Sequence, residues 1–578
     1  MNRKQRRAAA KQSGPQTAAA SDANALFAEA VLHQQQRRFD DAVRGYKRVL
    51  VLRPEHAEAA NNLGCILQLQ GRSREASAAF ARALELMPQL AHDFAAIAAT
   101  ITALTPALRQ ATQRAVASWP QRLPLNVLLE GSSLAAVAAD PLLLAVLKST
   151  PVCDVAFERA LTALRLALLQ AAVKHDKIET ETLGFCAALA QQCFINEYVF
   201  ATTPEEDAQA SQLARSLESK LDGQAAIAPF QLAALAMYVP LQRLAGAQLL
   251  TEQKWPPAVA EIVTQQVREP TQELALRASI AALRPIADEI SKRVRQQYEN
   301  NPYPRWVRLG GGTEPQDFDR YLSGAIPGAA FVAPGFGEPV EVLVAGCGTG
   351  AHPIEVARKL KGSRVLAIDL SLNSLAYAKR KTPTELADRI DYAQADILRL
   401  GDLDRRFDVI DVSGVLHHMA DPVSGLRVLL PLLRLGGFLR LGLYSRIARR
   451  EIGAARNYLA ERGYSSSAED IRRARQDILA SKYAGVAQSN DFFATSECRD
   501  LLFHVQEQQM TLPQIKAMLA EHGLRFIGFE FDPLTARSVA EALAANGEST
   551  ADLDAWNEFE QRNPATFRGM YQFWSQKL

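Results

Sequence analysis

Long apolar runs are missing from this chain of 578 residues. None approaches the roughly 18–20 residues that a membrane span needs, so no membrane segment is expected. Cysteine is scarce. The six (Cys65, Cys153, Cys186, Cys193, Cys347 and Cys498) show no CxxC spacing and have few histidines near them. That pattern argues against a disulfide framework and a metal site, and it suits a reducing cytosol, so a cytoplasmic protein without a metal is expected. A surplus of one charge is missing too. With 65 basic and 63 acidic residues the net charge is +2, and nucleic-acid binding is not expected. The opening MNRKQRRAAAKQSG carries Arg3, Lys4, Arg6, Arg7 and Lys11, but no apolar stretch follows as a secretory signal would require. Residues 1–21 therefore read as a disordered basic arm. No GxxxxGK[ST] occurs, which argues against a P-loop nucleotidase.

The composition is otherwise that of a globular protein, 48% hydrophobic and 22% charged, and the length calls for several domains. Residues 22–104 repeat themselves at a spacing of 34, pairing Ala30 with Gly64, Ala42 with Ala76, Tyr46 with Phe80, and Pro54 with Pro88. Small residues let two helices approach, an aromatic fills the gap between them, and proline ends the second helix. The period and residue types resemble the tetratricopeptide repeat, which implies helix–turn–helix units whose groove takes a peptide or protein, or whose role is only structural.

Residues 105–290 read as a helical domain, with leucine and alanine at three- and four-residue spacing in stretches such as FERALTALRLALLQAAV. Cys186 and Cys193 lie seven apart on one helical face and read as buried small apolar residues. After residue 291 the pattern changes. Strand-like segments at 340–345, 364–368, 390–393, 407–412, 437–443, 524–531 and 568–576 alternate with helical ones at 350–360, 372–381, 422–434 and 511–522. Such alternation predicts a mainly parallel sheet covered by helices. The stretch 447–510 is too long for a plain connection and reads as a helical lid, with His504 and Glu507 on one helix face.

The first long strand runs into AGCGTGA. Gly346, Gly348 and Gly350 allow a ligand close to the backbone at the start of a helix, with Cys347 between the first two. Asp369, followed by Leu370, closes the next strand, where a carboxylate can accept both hydroxyls of a ribose. These two signals point to an adenosine ligand, of a nicotinamide cofactor or of S-adenosylmethionine. Further on, Asp396 could accept from an adenine amine, Ile397 could pack on the ring, and Ser413, Gly414, His417 and His418 sit in the loop after the fourth strand.

This ordered set resembles the class I S-adenosylmethionine-dependent methyltransferases. The resemblance implies an α + α/β chain: tetratricopeptide-like repeats, a helical middle domain, and a Rossmann-like sheet of seven strands over 291–578. It implies S-adenosylmethionine as cofactor, with Gly346, Gly348 and Gly350 around the methionine part, Asp369 on the ribose, Asp396 and Ile397 at the adenine, and the loop from Ser413 to His417 near the sulfonium. Where family members often place an acid two residues before the first glycine, Val344 stands here. YENNPYPRW (298–306), GLYSRIAR (442–449) and SECRDLLFHVQE (496–507) resemble a narrower bacterial group that joins such repeats to a methyltransferase. Tyr298, Asn301, Tyr303 and Arg305 thereby become candidates to cap the cofactor.

Methyl transfer needs a base only when the acceptor must lose a proton. His417 and His418 are the first candidates by position, and His504 and Tyr444 follow. Three activities stay open: a methyltransferase whose repeats recruit a protein or peptide, the same enzyme acting on a small molecule, and a scaffold that keeps the cofactor fold without turnover.

Overall fold

The computed structural model describes residues 22–176, 178–300, 302–311 and 314–578. The basic arm at 1–21 and Asn301 lie outside the described residues. The chain separates into two compact units. One runs to Arg268 and takes in Trp306–Gly311; the other comprises Glu269–Arg305 and Gly312–Leu578.

The first unit is helical. Helices at 22–35, Phe39–Leu52, Ala57–Leu69 and Ser73–Leu86 open it. Their packing explains the repeated small residues. A Cβ on Gly64 would stand 2.8 Å from the Phe80 ring, and one on Gly45 would stand 2.7 Å from the Ala30 Cβ. Further on, Pro106, Pro141, Pro229 and Pro257 each occupy a first helical turn, where the missing N–H costs nothing. Cys186 and Cys193 are both buried in the helix Thr180–Ile195.

Among the described residues, the second unit is built on a sheet of nine strands: β1 (Ala281–Ala282), β2 (Val340–Ala345), β3 (Ser363–Asp369), β4 (Ile390–Gln394), β5 (Phe407–Ser413), β6 (Leu433–Ser445), β7 (Gln509–Met510), β8 (Leu524–Phe529) and β9 (Tyr571–Lys577). Their order is β1-β4-β3-β2-β5-β6-β9-β8, with β7 beside β6. The seven expected strands are present, and β1 and β7, two residues each, add to them. Pairing from β1 to β7 is parallel, whereas β9 runs antiparallel to both β6 and β8.

Three sequence expectations need correction. The helix expected over 422–434 ends at Leu429, and β6 begins at Leu433, where pairing with Phe407 draws the chain into the sheet. Residues 269–290, read with the helical region, belong to the sheet unit. Ala281–Ala282 pairs with Ala393–Gln394, and Arg380 holds Glu269 and Glu273 of the helix Glu269–Arg277. Finally, His504 and Glu507 share no helix face, because the helix Thr495–Phe503 stops just before His504.

Within 447–510 lie the helices Arg450–Glu461, Ala468–Ala480 and Thr495–Phe503. Glu507 ties this insertion together by accepting from Arg449 at 2.6 Å and from Arg456 at 2.7 Å.

Candidate active site

A pocket of about 520 Å³ opens at the carboxyl ends of the parallel strands. That is where an open α/β sheet places its ligands. Its floor is the turn after β2. Gly346 and Gly348 both have positive φ, +80° and +50°. A Cβ on Gly346 would stand 2.3 Å from Val415, and one on Gly348 would stand 2.8 Å from the Tyr303 carbonyl oxygen. Only glycine fits either position. The segment before the sheet folds over this turn, and the Thr349 hydroxyl donates to the Pro304 carbonyl.

Asp369 closes β3. Its carboxylate accepts from the Gly348 N–H at 2.8 Å and the Ser371 N–H at 2.9 Å. Burial raises its pKa, and these backbone donors oppose the rise. Asp396 follows β4 with one carboxylate oxygen accepting from Leu398 N–H at 3.0 Å. Its other oxygen is buried without a partner, and so is the Ser413 hydroxyl. Buried polar atoms are rarely left unpaired, so two such atoms on one pocket wall mark places for a ligand's donors.

Aromatic rings and histidines also meet at and just behind the pocket lining. Tyr298 donates to Asp500 at 2.7 Å, its ring stacks on Tyr303, and His418 stacks on His504 with ring centroids 3.7 Å apart. The hydrogen bonds assign the tautomers. His504 Nδ1 accepts from the Gln506 N–H at 3.1 Å, so a neutral ring carries its hydrogen on Nε2, which faces the Tyr298 oxygen at 3.3 Å. His418 Nδ1 lies 3.0 Å from the Gln506 carbonyl oxygen and must donate to it, which leaves the Nε2 lone pair free. Burial, with His418 beside it, lowers the His504 pKa to about 4.

Among the described residues, His418, Asp500 and His504 also bring one ligand atom each within 4.8 Å of one another, a spacing a metal would accept. The hydrogen on His504 Nε2 speaks against that use.

Of the residues singled out in the sequence, Gly346, Cys347, Gly348, Asp369, Leu370, Asp396, Ile397, Ser413, Gly414, His418 and Tyr444 line this one pocket. Gly350, His417 and His504 do not. Gly350 serves packing, since a Cβ there would stand 2.4 Å from the Ala378 Cβ. His417 is fully buried and stacked on Tyr444 at 3.8 Å. Burial, and then the neighbouring His418 and Arg449, hold its pKa well below the usual value, so it stays neutral. Burial also pushes the Tyr444 phenol well above its usual range. Tyr298 and Tyr303 reach the pocket as cap candidates, while Arg305 is not part of its wall. Sequence reasoning missed Asp500 and the apolar Ile290 and Val294. No spacing marks Asp500, and the helix Glu289–Asn300 precedes every cofactor motif.

Comparison with known proteins fits this geometry. Residues 343–439 match the family described as "Methyltransferase domain". An uncharacterised protein of Synechococcus sp. is 28% identical over 255 residues, covering 42% of this chain and 61% of its own length. A demethylmenaquinone methyltransferase of Clavibacter sepedonicus is 33% identical over 106 residues, covering 18% and 41% respectively. The structure of PKMT2 from Rickettsia typhi in complex with AdoHcy aligns with a TM-score of 0.33 and 17% identity, over 42% of this chain and 50% of that one. The chain thus spans 61% of the length of the Synechococcus protein and 41% of the Clavibacter enzyme. The glycine turn, the carboxylate after β3 and the match to the methyltransferase-domain family over residues 343–439 all fall on the same strands.

Proposed function

We propose that this protein transfers the methyl group of S-adenosylmethionine to an acceptor held at the Tyr298–Asp500–His418 wall. The observation that carries this reading is the set of unmet acceptors in one pocket: the free Asp396 oxygen and the Ser413 hydroxyl, beside an Asp369 already fixed by the glycine turn. An adenosine fits that set, with its ribose hydroxyls on Asp369, its exocyclic amine on Asp396 and its ring on Ile397. When bound, the cofactor would supply a methyl group on a sulfonium, open to in-line displacement by the acceptor with S-adenosylhomocysteine as the leaving group. The protein's own work is to hold the acceptor in line and keep water out.

Among the four candidate bases, His418 is the best placed. It lines the pocket, its Nε2 lone pair is free, and the Asp500 carboxylate 4.0 Å away would steady the imidazolium formed by proton abstraction. His417 and His504 stay neutral outside the wall, and Tyr444 stays protonated.

The acceptor in this reading is a protein or peptide recruited by tetratricopeptide-like repeats over 22–104. The spacing of 34 between Ala30 and Gly64 and between Tyr46 and Phe80, and the close fit of Gly64 on Phe80, support it. The segment 447–510 acts as the lid, and the six unbridged cysteines suit the cytoplasm.

Titration calorimetry with S-adenosylmethionine and with NAD tests the cofactor. Asp369→Ala should lose roughly 1.5–3 kcal/mol of charge-assisted hydrogen bonding, about ten- to a hundred-fold in affinity. An unchanged affinity removes Asp369 from the site, and preferential binding of NAD removes the reading.

A further inference from the structure

A second cavity, of about 220 Å³, lies behind the glycine turn and shares Gly346, His352, Ser413 and Met570 with the large pocket. One row of the sheet builds it. Val344 on β2 is the register partner of Asp411 on β5, and Asp411 is the partner of Arg440 on β6. Partners in neighbouring strands point their side chains to the same face, roughly 4.8 Å apart. A carboxylate at 411 therefore stands one strand away from the position where methyltransferases of this class often carry an acid and this chain has valine.

The carboxylate is built in rather than incidental. Asp411 Oδ2 accepts from His352 Nε2 at 2.6 Å and from Arg440 at 3.0 Å, while Arg440 also holds Glu530 at 2.8 Å. Burial works to raise the Asp411 pKa, and its interactions with His352 and Arg440 outweigh it and hold the group ionised. Two carboxylates, Asp411 and Glu530, thus share the Arg440 guanidinium, and Asp411 has the His352 ring as well. Asp411 Oδ1 has only a 3.2 Å bond from the Ser413 N–H, and the Ser413 hydroxyl beside it is buried without any partner. Acceptors are left over, in a cavity one glycine away from the proposed methionine end of the cofactor.

We infer that Asp411, with Ser413, replaces the missing acid at Val344 and binds the ammonium group of the cofactor's amino-acid end. His352 and Arg440 are positioning residues that fix the carboxylate. The inference rests on the methyltransferase reading and adds to it the residues that tell the whole cofactor from its adenosine half.

Calorimetry on the full chain with three ligands tests it: S-adenosylhomocysteine, its deamino analogue, and 5′-methylthioadenosine, which lacks the amino-acid end. The wild-type protein should bind the deamino analogue at least about tenfold more weakly than S-adenosylhomocysteine, the loss typical of a charge-assisted bond. Asp411→Asn should bring S-adenosylhomocysteine down to the level of the deamino analogue and leave 5′-methylthioadenosine unchanged, which also reports an intact adenosine site. Should Asp411→Asn fail to fold, Ser413→Ala reads the same subsite. It should weaken S-adenosylhomocysteine severalfold and leave the deamino analogue untouched.

Equal wild-type affinity for S-adenosylhomocysteine and its deamino analogue would overturn the proposal. Equal losses for S-adenosylhomocysteine and 5′-methylthioadenosine in a folded variant would overturn it too. Failure of the methyltransferase reading looks different, since the wild-type protein would then bind none of the three.

Discussion

Glycines two residues apart in the turn after β2 answer to different neighbours. Gly348 faces the ligand side, against the Tyr303 carbonyl, while Gly350 faces Ala378 of the helix Leu372–Lys381. Gly348→Val should therefore abolish S-adenosylmethionine binding, and its φ of +50° and the Tyr303 carbonyl make it destabilising as well. Gly350→Val should destabilise the unit by at least the roughly 1–3 kcal/mol of overpacking, with its φ of +84° adding strain, and should weaken binding only through that loss. Melting curves and calorimetry on both variants separate the two roles, and normal cofactor binding by a folded Gly348→Val variant would contradict the division. His504 carries a pH signature of its own. Its pKa falls from 6.5 to about 4 on folding, so the unfolded chain binds a proton that the folded chain refuses. The stability tied to the neutral ring is full above pH 6.5 and is lost as the pH falls towards 4. Urea midpoints across that window should fall less steeply for His504→Gln than for the wild type. Parallel slopes would mean that the ring titrates normally.

Elements show where local pattern decides and where tertiary contact overrides it. The seven longer strands were legible because each carries apolar or aromatic residues, in a run or interleaved with polar ones, such as VEVLVA in β2 and YQFWSQK in β9. Strands β1 and β7 were not, since two residues carry no period and exist only through their partners at Ala393–Gln394 and Tyr444–Ser445. LLPLLRL reads as helix from its leucines, yet pairing of Leu433 with Phe407 turns its end into strand. The site divides in the same way. Its cofactor side follows from glycines and acids at strand ends, whereas Asp500 comes from an insertion whose fold no motif announces. That insertion is held by buried charges. Glu507 sits between Arg449 and Arg456, its side chain 3% exposed. Burial favours its protonation, and Arg449 overrides that and keeps its pKa low. Glu507→Ala leaves Arg449 buried without its carboxylate and should cost roughly 3–5 kcal/mol. Limited proteolysis should then cut within 447–510 well before the sheet. Wild-type resistance in the variant would show that apolar packing alone holds the insertion.

At the scale of the whole molecule, the boundary of the sheet unit at Glu269 decides what can be separated. Every residue proposed to hold the cofactor lies in that unit, and so do Ile290 and Val294 of the pocket wall. A chain starting at Glu269 keeps the helix Glu269–Arg277, whose two acids hold Arg380, and keeps the pairing of β1 with β4. It should melt cooperatively and bind S-adenosylhomocysteine as the full chain does. A chain starting at residue 291 loses that helix, β1 and Ile290, and should be less stable and bind more weakly. The longer fragment then separates the two readings of the acceptor. Removing a recruiting module lowers the effective concentration of a large acceptor at the site but leaves a small molecule's encounter unchanged. Labelled methyl incorporation into the macromolecular fraction of a lysate should therefore fall for the Glu269 fragment, while incorporation into its small molecules stays at the full-chain level. Equal incorporation into macromolecules by both proteins would remove recruitment by residues 22–104. Loss of cofactor binding by a folded Glu269 fragment would mean that the two units do not act independently.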